Sequence, residues 1–238
     1  SYAISAVSLV DSINILVIQA FYALSTGGTI VCAQYLGQKK TGHAIRSAEQ
    51  TLFIVTLISL VTAAFCILFD RQILRLIFGT VDEEVFNSAR TYFFYSSLSY
   101  PFIALYDAGS SIFRAQKNTG FPMAMSLIAN IANVIGNIIL VLILGQGVAG
   151  AAISTLAARA LCALLVLLRL VKPRENQPVY VANYTRIRPH MPLIRRILHI
   201  GIPAGIENSM FQFGKLAIQS SVSTLGVTAM AAHACLLY

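Results

Sequence analysis

Apolar residues fill six long stretches, at about 2–36, 48–69, 91–113, 122–144, 148–170 and 200–225, and begin a seventh at 228–238. A helix rises about 1.5 Å per residue and the hydrocarbon core of a bilayer is about 30 Å thick, so about 20 apolar residues span it. The pattern predicts an all-α polytopic membrane protein with six complete transmembrane helices and part of a seventh. Gly145, Gly147 and Gly150 mark a tight turn that folds the fourth and fifth spans into a hairpin. Ser154, Ala158 and Cys162 recur every four residues, a small-residue seam for close helix approach.

The one long hydrophilic segment, 171–199, holds Pro173, Pro178, Pro189 and Pro192 among basic residues. It reads as a linker between two bundles, ending in a short surface helix near Leu193–Ile200. The expected division is therefore 1–170, five transmembrane helices; 171–199, a basic linker; and 200–238, the start of a second bundle. The chain begins at Ser1 beside a span and ends within an apolar run, which reads as a piece of a longer protein.

Composition sharpens this picture. The chain has 238 residues, 57% hydrophobic and 11% charged, where a soluble domain has about 25% charged. Its net charge of +8 is distributed by loop and does not form a nucleic-acid surface. Twelve of the 17 Lys and Arg lie in alternate loops: Lys39, Lys40, Arg46; Arg114, Lys117; Arg169, Lys172, Arg174, Arg186, Arg188, Arg195 and Arg196. The positive-inside bias places those loops in the cytoplasm, and the linker charges suit anionic lipid head groups. The first span then runs inward, so an odd number of spans is expected before Ser1. Cys32, Cys66, Cys162 and Cys235 all lie in apolar segments without metal spacing and read as buried packing residues.

Polar residues share single faces of the spans. Ser126, Asn130, Asn133 and Asn137 fall within about 60° of one another on a helix. Lipid offers buried amides no partner, so this face either lines a wet or ligand-bearing surface or bonds to a neighbouring helix. On the third span Ser96, Tyr100, Asp107, Ser110, Ser111 and Arg114 cluster. A carboxylate at that depth costs about 2.5–3.5 kcal/mol on the translocon scale, so Asp107 faces a cavity or pairs with Arg114. The first span carries Asp11 and Asn14, with Asp11 near the outer interface, and Gln34 suits a contact between helices. The sixth span opens with Gly201-Ile202-Pro203 and carries Glu207, Asn208 and Lys215. Glu207 and Lys215, ionisable at membrane depth, are candidates by default; Lys215 and Arg159 also suit ion pairs, and a long basic chain can reach the interface.

No GxxxxGK[ST], HExxH, GxSxG or K⁺-filter sequence is present, so ATP hydrolysis, metalloprotease and serine-hydrolase chemistry have no motif here. A channel would need no coupling acid. An intramembrane enzyme would need a nucleophile with a base, or a metal cluster.

The chain resembles the multidrug and toxic compound extrusion (MATE) family along essentially its whole length. Gly28-Thr29-Ile30-Val31-Cys32-Ala33-Gln34-Tyr35-Leu36-Gly37 looks like the end of the family's second helix, and Phe113–Met123 like the loop between its helices four and five. Asn133-Val134-Ile135-Gly136-Asn137 and Gly147–Thr155 look like its helix-five and helix-six signatures. Gly201-Ile202-Pro203 and Leu225-Gly226 with Ala229–Ala232 look like the two ends of helix seven. The resemblance implies a two-lobe helical bundle of twelve helices, with this chain running from about helix two to the start of helix eight. Residues 1–170 would be an N-terminal lobe lacking its first helix.

The resemblance also implies the function: a secondary active antiporter exporting organic cations or amphipathic compounds in exchange for Na⁺ or H⁺ by alternating access. It implies multi-pass residence in the plasma membrane, small-molecule substrates, lipid contacts, no cofactor, no nucleic acid and a monomer when full length. Asn133 matches the family's helix-five Asn and Thr155 its helix-six Thr, a pair suited to Na⁺. Asn137 stands where many members have Asp. The candidate substrate- and cation-binding set is Asn133, Asn137, Thr155, Glu207, Asp107, Asn130 and Lys215, with Glu207 as the acceptor of the second lobe. The alternative is a lipid-linked oligosaccharide flippase of the same wider group, which should carry a strongly basic cavity.

Overall fold

A computed structural model describes residues 2–78, 83–171, 177–182 and 187–223. Every long apolar stretch within those limits is helical: α1 (Tyr2–Gly37), α2 (Thr41–Leu68), α4 (Glu83–Ala115), α5 (Gly120–Asn137), α6 (Gly147–Val171) and α7 (Met191–Ser223). A short amphipathic helix, α3 (Asp70–Phe78), joins α2 to α4. The α5 axis continues through a π-helical turn, Ile138–Ile143. Ile13–Gly37, Thr41–Leu68, Gly120–Ile143 and Gly147–Val171 are long and apolar enough to cross a bilayer by length and composition. α4 and α7 have 33 residues each, about 50 Å of helix. Their greater polarity follows from what they carry: on α4, Asp107 and serines turned into the bundle.

The helices outrun their hydropathy windows. α2 starts at Thr41 instead of 48, α4 at Glu83 instead of 91, and α7 at Met191 instead of 200. Hydropathy measures hydrocarbon thickness, whereas backbone hydrogen bonding continues into water. The separate surface helix expected near Leu193–Ile200 is for the same reason the first turns of α7. The seventh apolar stretch, 228–238, lies outside the described residues.

α4 is the hub, packed against α1, α2 and α6; α1 also packs against α2 and α7, and α5 packs chiefly on α6. Tyr100, Phe21, Phe93 and Phe113 are the largest fully buried side chains, and Phe21 meets Tyr100 edge to face at 6.1 Å. The outward faces of α2 and α5 are apolar, with Leu60, Val61, Phe65, Met123, Leu127 and Leu142 exposed, as lipid-facing helices require. The Ser154–Ala158–Cys162 seam is buried. Gly136 brings α5 hard against Ser154, where a methyl group would overlap the Ser154 hydroxyl. Gly27 does the same between α1 and α7: a methyl there would sit 2.8 Å from the Gly201 nitrogen and closer still to the Ile197 carbonyl. Cys32, Cys66 and Cys162 are buried free thiols; Cys235 lies outside the described residues.

The turns at the end carrying the basic loops are built alike. Gln38-Lys39-Lys40-Thr41-Gly42 joins α1 to α2, and Gln116-Lys117-Asn118-Thr119-Gly120 joins α4 to α5. Lys39 (φ 58°) and Lys117 (φ 63°) take the left-handed conformation. The next amides reach back to close each helix, Lys40 N–H to the Tyr35 carbonyl at 2.9 Å and Asn118 N–H to the Phe113 carbonyl at 3.0 Å, a Schellman-type stop without its usual glycine.

The segment after α6 is fastened to this same end by two glutamines. Gln116 both donates to the Val179 carbonyl (3.2 Å) and accepts from the Val179 amide (3.0 Å). Gln50 donates to the Arg188 carbonyl (2.8 Å) and accepts from the His190 amide (2.9 Å). Val179 and Val181 are buried in the core. Arg196 then ties α7 to α1 through the Gln34 Oε1 atom (2.7 Å) and the Tyr35 hydroxyl (3.1 Å), the contact between helices that Gln34 suggested. At the opposite end Asp70 and Arg90 form an ion pair at 2.5 Å that seats α3 on α4.

Candidate functional site

Two polar assemblies lie within the bundle. The first joins α5 to α6. Asn133, Asn137 and Thr155 come together because residues four apart on α5 share a face and the Gly136–Ser154 approach draws α6 against it. Asn133 Nδ2 donates to Thr155 Oγ1 at 3.1 Å, and Asn137 Nδ2 donates to Asn133 Oδ1 at 3.0 Å. Ser154 Oγ donates to the Asn133 carbonyl at 2.8 Å, and Thr155 Oγ1 to the Ala151 carbonyl at 2.9 Å. Asn137 Oδ1 is buried and has no hydrogen-bond partner. The π-helical turn starts at the very next residue, Ile138; such turns are frequent at functional sites. The cluster offers carbonyl and hydroxyl oxygens and no ionisable group, which suits a hard cation or a polar substrate group and not a proton.

Asn130, one turn earlier, is not part of that cluster. It is exposed on the wall of an open cavity of about 700 Å³ between α4 and α5, with Ser126, Met123, Leu127, Tyr106 and Arg114. Arg114 stacks over the Tyr22 ring at 5.7 Å; it makes no direct ion pair with Asp107 among the described residues but acts on it electrostatically.

The second assembly joins α1, α4 and α6. Asp11 Oδ1 accepts from Tyr92 Oη (3.3 Å) and Asn14 Nδ2 (3.4 Å), and Tyr100 Oη donates to Asn14 Oδ1 at 2.8 Å. Arg159 of α6 donates to Ser99 Oγ at 2.6 Å and interacts electrostatically with both Asp11 and Asp107. Asp107 Oδ2 is buried without a partner. Pro101 lies in α4 next to Tyr100 and has no N–H for the Ser97 carbonyl. Asp11, just ahead of the span that begins at Ile13, is tied to α4 by hydrogen bonding, and Arg159 turns inward to Ser99. The sequence offered only the separate charges, Asp11 near the interface, Asp107 and Arg159 within spans; the pairing of Asp11 with Arg159 spans about 150 residues of sequence and has no local signal.

Glu207 is exposed on α7, and no described contact joins it to either assembly. Lys215 lies in α7, with its side chain outside the described residues. A mostly apolar cavity of about 470 Å³ lies between α1 and α7, lined by Leu16, Ala20, Ile202 and Met210 among others. No cluster of three or more metal-ligating side chains occurs among the described residues.

A helical bundle with an apolar exterior and amides, hydroxyls and charges turned inward suits a membrane-embedded protein. The sequence model of the MatE family matches residues 1–139, and the chain belongs to that family. It is 26% identical over 241 residues to the probable multidrug resistance protein YoeA of Bacillus subtilis (strain 168), covering 97% of this chain and 50% of that protein. It is likewise 26% identical to the probable multidrug resistance protein NorM of Thermotoga maritima, covering 97% and 49%. A crystal structure of MATE in the bent conformation superposes with a TM-score of 0.85 at 19% identity, covering 97% of this chain and 51% of that one. The chain therefore spans about half the length of the relatives it matches. The expected all-α membrane bundle of the MATE family is what the fold and the family match give.

Proposed function

We propose that this chain forms part of a secondary active efflux antiporter that exports organic cations or amphipathic compounds in exchange for Na⁺ or H⁺ by alternating access. The observation that carries the reading is the Asn133–Asn137–Thr155 cluster, with a buried amide oxygen left without a partner beside a π-helical turn. Helix packing alone has no use for an orphaned acceptor, which costs about 1–3 kcal/mol. A passing ion or substrate group supplies the missing donor or charge. Asn133 and Thr155 contribute oxygens to Na⁺, Asn137 completes the surface, and Asn130 extends it along α5. Glu207, exposed on α7, is the second-lobe acceptor in this reading. The basic loops lie in the cytoplasm and the protein resides in the plasma membrane as a monomer. A lipid-linked oligosaccharide flippase needs an excess of inward basic groups, and Arg159 is instead flanked by two carboxylates.

The test is efflux of a fluorescent cationic dye from proteoliposomes holding the full-length transporter, driven in turn by a Na⁺ and a pH gradient. Gradient-driven efflux that falls in Asn133→Ala supports the reading. Efflux indifferent to both gradients overturns it.

A further inference from the structure

The α1–α4–α6 network holds a buried carboxylate oxygen that nothing satisfies, Asp107 Oδ2. Asp11 and Asp107 are its two acids; Arg159 acts on both, and Arg114 acts on Asp107 from further along α4. Arg159 Nη1 donates to Ser99 at 2.6 Å, and the field of Arg159 is shared by both acids. Asp11 has hydrogen-bond partners in Tyr92 and Asn14. Asp107 has none at Oδ2, which is sealed from solvent. Every helix packed on α4 bears on this count. α1 presents Asp11; α6 presents Arg159 here and Arg169 at the far basic end, over Phe121. α2 presents Cys66 near Tyr100, while its His43, Arg46 and Glu49 lie near its first turns. α3 has Asp70 neutralised by Arg90 and Arg75 over Phe86. α5 carries no charged residue. On α4 itself Arg114 also acts on Asp107, but it lies two turns away, stacked on Tyr22 at the open cavity.

A carboxylate oxygen at membrane depth without a hydrogen-bond donor requires a cation. We propose that Asp107 binds one exchangeable monovalent cation, H⁺ or Na⁺, at a site separate from the Asn133–Asn137–Thr155 cluster. Occupancy there changes the charge that Arg159 faces, and Arg159 reports it to α6 and, through Asp11, to α1. The cluster on α5 and α6 has oxygens but no ionisable group, so Asp107 supplies a titratable member that the cluster itself lacks. The inference rests on the exporter reading for its purpose, but its test does not.

The test uses the full-length transporter in lipid nanodiscs. A hydrophobic carbodiimide should modify Asp107, located by peptide mass spectrometry. Protection by added Na⁺ identifies a Na⁺ site; protection only by alkaline buffer identifies a proton site. Either result supports a cation site. Counted directly by Na⁺ binding and by proton uptake in weak buffer, the wild type should bind one more cation per protein than Asp107→Asn, and Asp107→Glu should restore it. Modification insensitive to both Na⁺ and pH, absence of modification at Asp107, or equal cation counts in wild type and Asp107→Asn overturns the proposal. Dye efflux in the wild type is scored separately: failure there removes the exporter reading while the cation count still decides this one.

Discussion

Asn137→Leu separates an amide kept for function from one kept for packing. In the native chain the Asn137 amide makes one bond, to Asn133 Oδ1 at 3.0 Å, and its own Oδ1 is buried without a partner. Leucine has a similar volume and suits the α5 helix. Losing the hydrogen bond costs about 0.6–1.7 kcal/mol by the measured range for polar contacts in membranes. Removing the orphaned acceptor returns about 1–3 kcal/mol, and stranding Asn133 Oδ1, which loses its donor, takes back a similar amount. The terms nearly cancel, so stability should change by no more than about 2 kcal/mol in either direction. A transition temperature for a protein of this size moves by about 2–4 °C per kcal/mol, so the variant should melt within about 8 °C of the wild type. Dye efflux should nevertheless fall steeply, since the surface has lost its free oxygen. The assay pairs size-exclusion thermal stability with proteoliposome efflux on one preparation. A large loss of stability with efflux tracking the folded fraction would make Asn137 structural glue; unchanged efflux would remove it from the transport path.

Three further outcomes follow from the contacts. Gln50→Ala and Gln116→Ala should each free two backbone groups at residues 179–190 and cost about 1–3 kcal/mol locally, read as faster hydrogen exchange in that segment with little change in α5 or α6. Gly27→Ala places a methyl against α7 backbone that cannot rotate away, and should destabilise by about 1–3 kcal/mol; Lys117→Gly, relieving a left-handed non-glycine residue, should stabilise by about 0.5–1 kcal/mol, both read by thermal shift. Glu207→Gln in the full-length protein should abolish gradient-driven dye efflux, and unchanged efflux would exclude Glu207 from coupling.

The membrane spans were legible because the bilayer imposes a long apolar run that few other folds need. The asparagine face of α5 was legible because 3.6-residue periodicity brings Asn130, Asn133 and Asn137 to one side. Periodicity alone did not separate Asn130, on an open cavity wall, from Asn133 and Asn137, bonded across to α6. Helix α3 escaped notice because Asp70, Arg71 and Arg75 break the apolar run that hydropathy follows, although the same charges make its amphipathic pattern. Gln50 and Gln116 carry no sequence signal for fastening a segment 63 to 140 residues away. The Asp11–Tyr92 and Arg159–Ser99 contacts are fixed by the packing of α1 and α6 on α4, not by any one helix.

The most direct measurement is thiol accessibility at position 137. In a full-length transporter with its native cysteines replaced, Asn137→Cys should react with a membrane-impermeant maleimide, and a transported cationic dye should slow that reaction. A Cys at 137 that no aqueous reagent reaches from either side, in protein that still transports, would contradict the account.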